Sequence, residues 1–154
     1  MVVSDFPKVT ETFVLRNALH YMARGHVVDM FHLKPFRENE LVHGDMKAVV
    51  ARGITAPWLS ARSLVAMARH LLLVMSVLKA VCSAFWRKPK HLAASLAIVP
   101  KSLEIAAQCK RSGVNHIHAE FAGYPATAAW IISRATGIPF SFSAHAHDIF
   151  ITQG

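Results

Sequence analysis

Three short stretches of this chain gather the side chains that can do chemistry. His145, His147 and Asp148 stand together in "SFSAHAHDIF", His116, His118 and Glu120 in "HIHAEF", and Asp5, Lys8, Thr10 and Glu11 in "DFPKVTE". Imidazole changes charge near neutral pH, so histidines beside carboxylates suit proton transfer, hydrogen bonding to sugars or phosphates, and metal ligation. His116 and His118 share one strand face by period two. With the carboxylate of "HAHD" they form a plausible zinc ligand set, which keeps a metal-dependent hydrolase among the readings.

The elements that must position these residues alternate between strand and helix. "MVVSDF" is a short apolar run broken at Pro7, and "ETFVLRNALHYMAR" has the apolar period of a helix, with Thr10 as its expected cap and Gly25 at its end. "HVVDMFHL" reads as a second strand, and the region from there to Thr55 as loop. Residues 56–112 read as helical. Arg62, Arg69, Ser76 and Ser83 recur every seven residues as a polar stripe, Leu92, Leu96, Val99 and Leu103 share one face, Pro100 is expected to start a new helix, and Gly113 closes the region. "VNHIHAEF" then reads as a strand, Pro125–Thr136 as a helix ended by Gly137, and "IPFSFSAH" as a further strand. This rhythm predicts an α/β fold with a parallel sheet and helices on its faces. All three polar clusters follow strands, so they fall on the carboxyl edge of the sheet, where such folds bind ligands and helix N-termini meet phosphate.

With 154 residues, 53% of them apolar, the chain suffices for one domain with a core. Its net charge of +8 is uneven, because no acidic residue occurs between Met46 and Leu103. That block predicts an anionic partner. Basic residues diluted in Leu, Val, Ala and Met fit an anionic membrane surface better than nucleic acid, and the same pattern occurs in a core-facing helix pair with a solvated basic edge. Arg69, His70 and Lys79 interrupt the most apolar window, Leu64–Phe85, which falls short of a membrane span. "MVVSDFPK" has no signal-peptide pattern, so a cytoplasmic location is expected. Cys82 and Cys109 have no metal or redox spacing and are expected to be buried thiols. His20, His26, His32, His43, His70 and His91 are expected to be ordinary surface or helix residues.

Two blocks resemble the N-terminal half of the two-domain GT-B glycosyltransferases of family 4, especially those of exopolysaccharide and colanic-acid-type synthesis. "FPKVTETFVLRNALHYMARGHVV" is similar to that family's Phe-Pro-x-x-Ser-Glu-Thr-Phe signature, with Thr10 in the serine's place. "HIHAEFAGYPATAAWIISRATGIPFSFSAHAHDIF" resembles its His-Ile-His-Ala-His-Phe block, the Pro-Ala-Thr helix and the Thr-Gly-Ile-Pro-Phe-Ser-Phe-Thr-Ala-His-Ala-x-Asp-Ile run. Glu120 departs from the pattern by replacing a histidine. The resemblance is weak between Leu33 and Arg111.

The resemblance implies a Rossmann-like domain that shapes the acceptor site of a retaining glycosyltransferase, moving sugar from a nucleotide sugar to a growing, lipid-linked glycan at the inner membrane face. His145 would be the catalytic histidine near the transferred sugar. Pro7, Lys8, Thr10 and Glu11 would approach the donor diphosphate or acceptor, and His118, Glu120 and Asp148 would line the same cleft. No metal or other cofactor is implied beyond the nucleotide-sugar substrate. The family's C-terminal Glu-x7-Glu motif is absent, and so is the last part of its N-terminal domain past Asp148, so the resemblance implies a GT-B N-terminal half incomplete at its C-terminus. A non-catalytic truncated homologue is therefore the other reading beside the hydrolase.

Overall fold

A computed structural model describes residues 1–8, 11–35, 44 and 47–145. Its center is the two-residue strand β1 (Val2–Val3), whose side chains are both buried. β1 pairs in parallel with β2 (Met30–His32) on one side and with β4 (Ile117–Glu120) on the other. β3 (Gly53–Thr55) extends the sheet beyond β2, and β5 (Phe140–Ser143) extends it beyond β4. The order is β3-β2-β1-β4-β5, all parallel. The expected α/β class is therefore what the chain adopts, in a Rossmann-like arrangement whose strand order reverses between β1 and β4.

Right-handed crossovers fix which face each helix covers. From β1 outward to β3 the connections are α1 (Thr12–Ala23) and the single turn α2 (Lys47–Val50); Val14, Leu15, Ala18 and Val49 meet Val3 and Met30 in one core. The return from β3 to β4 and the step to β5 carry α3 (Ala61–Arg69), α4 (Leu71–Phe85), α5 (Pro89–Arg111) and α6 (Tyr124–Thr136). Val77, Val99, Leu103, Ile131 and Ile132 form the second core with Val2, Phe31, Ile117 and Ala119. Alternation along each strand divides the two cores, as period two requires.

The segment read as loop up to Thr55 contains α2 and β3, both too short to give a periodic signal. The long helical region departs from expectation in three ways. It starts at Ala61, after a capping box in which Ser60 and Ser63 bond each other's backbone N–H at 3.0 and 2.9 Å. It bends by 92° at His70, so the seven-residue polar stripe does not follow one cylinder. Pro100 lies inside α5 rather than at a helix start. Burial of Ile98, Val99, Lys101 and the run through Ala106 outweighs the roughly 3 kcal/mol that an interior proline costs. Cys109 is buried as expected, and burial pushes its thiol up to about 11, but Cys82 is exposed. It follows Val81, which faces the core, by one 100° step around α4. His32 is likewise buried rather than superficial, with its Nδ1 at 2.7 Å from the Lys34 carbonyl.

Two glycines are fixed by geometry. A Cβ on Gly53 would lie 3.0 Å from the Phe6 ring, so β3 approaches the core only without a side chain there. Gly137 ends α6 at φ +80° and donates its N–H to Ser133 at 2.8 Å. A Cβ on Gly137 would meet nothing within 4 Å, so Gly137→Ala is expected to cost only backbone strain, about 1–2 kcal/mol, in urea unfolding. An unchanged or higher stability would contradict the left-handed cap.

Candidate functional site

β4 places His118 and Glu120 on the α1 side of the sheet, with His116 just before it, while Ile117 and Ala119 face the other core. β5 runs in register, pairing His118 with Ser141 and Glu120 with Ser143. Matched residues of parallel neighbours share a face, so the polar side chains meet. Ser141 Oγ lies 2.9 Å from His116 Nε2 and 2.8 Å from His118 Nδ1, and Ser143 Oγ lies 3.2 Å from His118 Nε2. Both ring nitrogens of His118 are thus engaged by serine hydroxyls.

Glu120 ends this ladder with no exposed surface. Asn17 of α1 donates its side-chain N–H to Glu120 Oε1 at 3.1 Å. His118 Nε2 stands 3.7 Å from Oε1, and His145 Nε2 stands 3.5 Å from Oε2. Burial alone would push the Glu120 carboxyl up, but hydrogen bonds from His118 and Asn17, the charge on His118 and the His145 contact outweigh it. They hold the acid below the usual glutamate value. Glu120 is therefore a carboxylate at neutral pH.

His145 is placed by aromatic walls as well as by this carboxylate. Its ring centroid lies 4.8 Å from that of Phe13 on α1 and 4.9 Å from that of Phe121. Phe121 takes φ +82°, a left-handed conformation that costs an aromatic residue about 1–2 kcal/mol. Its N–H still pairs with the Ser143 carbonyl at 3.0 Å. The strained residue is the one that turns from the end of β4 to the histidine's side.

The structure therefore brings together His118, Glu120 and His145 among the sequence-predicted residues. Pro7 is buried after β1, and the Lys8 ammonium pairs with the Glu11 carboxylate. Glu11 stands at the N-cap of α1 without a side-chain cap bond, one residue beyond the expected Thr10. Thr10 and Asp148 lie outside the described residues. Sequence reasoning missed Asn17, Phe13, Phe121, Ser141 and Ser143. The alternation in "FSFSAH" carries the signal for the two serines, since period two puts them on the face of His145; nothing local marks Asn17.

Among the described residues, no group of three His, Cys, Asp or Glu side chains converges as a metal site. A cleft of about 730 Å³ opens on the same face at the opposite edge, beside Tyr21, His26, Asp29 and Asn115. It shares only the His116, His118 and Ser141 wall with the ladder, and lies at the amino ends of β2 and β4. Fold and site together define a Rossmann-like α/β protein with a histidine–carboxylate cluster at its carboxyl edge. Comparison with models of protein families, curated proteins and solved structures gives no match.

A folded acid held below its ordinary value stabilises the protein at pH above about 4.3 and loses that contribution as pH falls through its folded value. Glu120→Gln is accordingly expected to cost about 1–3 kcal/mol at pH 7. The gap to the wild type should close as acid protonates the wild-type carboxylate. Urea unfolding between pH 7 and pH 3 checks this, and a gap independent of pH would contradict it.

Proposed function

We propose that this chain is the acceptor-side domain of a retaining glycosyltransferase that moves a sugar from a nucleotide donor to a growing, lipid-linked glycan. The observation that carries this reading is His145, fixed between Phe13 and Phe121 with Nε2 directed at buried Glu120. It lies beside the strand-order reversal, the place where open α/β sheets receive ligands. The two sequence blocks that resemble family 4 glycosyltransferases supply these same residues.

In such a transfer the bond between the sugar's anomeric carbon and the donor phosphate oxygen breaks, and an acceptor hydroxyl oxygen bonds to that carbon. The hydroxyl proton passes to the departing phosphate. His145 would hydrogen-bond a hydroxyl of the transferred sugar and oppose charge as it develops, and Glu120 would keep the ring in that orientation. The Phe walls would restrict the ring's rotation. α1 contributes first-turn N–H groups that Glu11 does not cap, which favours a nearby anionic group.

Transfer of labelled sugar from a panel of nucleotide sugars to lipid-linked oligosaccharides tests the reading. Together with its donor-binding domain, the chain is expected to turn over one donor, and His145→Ala is expected to reduce kcat by about 10²–10³-fold, the range for losing one charge-stabilising donor. Absence of transfer from every donor, or full activity in His145→Ala, would refute it.

A further inference from the structure

The elbow between α3 and α4 carries an apolar surface that the core does not use. α4 buries Val74, Val77 and Val81, and α3 buries only Ser63. Leu64 and Val65 stand more than half exposed before the bend, as do Leu71 and Met75 after it, and Leu72 is 88% exposed. Apart from Tyr21, Val27 and Phe142, every large apolar side chain exposed among the described residues lies between Trp58 and Trp86. A folded chain commonly scatters such residues singly, and their concentration marks an interaction surface.

The charge around the elbow selects the partner. Arg62, Arg69 and Lys79 are exposed in the same span, and Arg87 and Lys90 are exposed just after it, in a stretch that contains no acidic residue. Among the described residues, Arg62 has one acid within 4.0 Å, Glu104 of α5, which already accepts a hydrogen bond from Ser60. Arg87 stacks over exposed Trp86 at 4.4 Å, a pairing of aromatic ring and cation suited to a membrane–water boundary. Long basic side chains can keep their charge among headgroups while their stems lie on apolar surface. A second copy would set one acid-free patch against another in a chain of net charge +8.

The geometry favours lying on a leaflet over crossing it. The 92° bend divides the pair into limbs of 9 and 15 residues, each too short for a span of about 20. α5 is long and apolar enough to cross, but 56% of its apolar window is buried inside the protein, where it serves as the core helix.

We infer that the α3–α4 elbow docks on an anionic lipid leaflet, seating Leu71, Leu72 and Met75 at the acyl boundary with Arg62, Arg69 and Lys79 among the headgroups. This inference stands on exposure and charge rather than on sugar transfer, so either can fail without the other.

Co-sedimentation of the chain with phosphatidylglycerol–phosphatidylcholine vesicles and with pure phosphatidylcholine vesicles, at 50 mM and 500 mM salt, tests it. Expected are binding to the anionic vesicles at low salt, at least tenfold weaker binding at high salt or on neutral vesicles, and at least tenfold loss in Leu72→Glu/Met75→Glu. The exposed control Tyr21→Glu should bind like the wild type. Failure of the unmodified chain to bind anionic vesicles at low salt overturns the inference whatever the variants do. So does undiminished binding by Leu72→Glu/Met75→Glu with native circular dichroism, or a dimer in light scattering that this double variant dissolves without any vesicle binding.

Discussion

A carboxylate removed from water must be met by donors from every side, and Glu120 imposes that requirement on three separate parts of the chain. Asn17 reaches it from α1, His118 from its own strand, and His145 from beyond β5. The pairing of Asn17 with Glu120 spans 103 residues and fixes the first turns of α1 against β4, across the point where strand order reverses. Phe13 is one turn earlier on the same helix, so the bond that satisfies Glu120 also sets the ring against which His145 rests. Removing the carboxylate's partners would leave a buried charge, which costs more than the bonds themselves contribute.

That constraint explains why β4 and β5 are polar on one face only. Toward α5 and α6 the alternation gives Ile117, Ala119 and Phe140, which join an apolar core. Toward α1 it gives His116, His118 and Glu120 beside Ser141 and Ser143. A histidine between two hydroxyls has a partner at each ring nitrogen, because a serine hydroxyl can both donate and accept. The ladder ends at the Glu120 carboxylate, beside His145.

Much of this architecture was legible because strongly periodic segments declare themselves. The helices α1 and α6, the glycine ends and the succession of strand and helix followed from apolar spacing and from Gly25, Gly113 and Gly137. β3 and α2 were not legible, since three or four residues carry no period and owe their form to the β2 edge and the core around Val49. Pro100 misled because local propensity yields to burial on both sides of it. His32 and Cys82 exchanged their expected environments, as burial of a single residue depends on which way its element is turned. In the site, period two marked His116 and His118 as neighbours on one face, whereas Asn17 is a distant partner whose role exists only after the sheet forms.

The carboxyl edge also links the two unusual regions of the molecule, although they occupy opposite faces of the sheet. Five residues separate β3 from α3, and the last of them, the cap Ser60, donates to Glu104 on α5 at 2.8 Å. One turn before Glu104, buried Lys101 donates to the carbonyl of Leu33, just past β2, while its ammonium lies 4.5 Å from the Trp58 ring. Desolvation lowers the Lys101 pKa, a cost that the carbonyl and the indole offset. These contacts tie the start of the apolar elbow to α5 and to the carboxyl end of β2. Because β2 and β4 both pair with β1, the sheet sets the distance between that anchor and the strand that carries Glu120. An elbow attached through a long loop would have left that distance free.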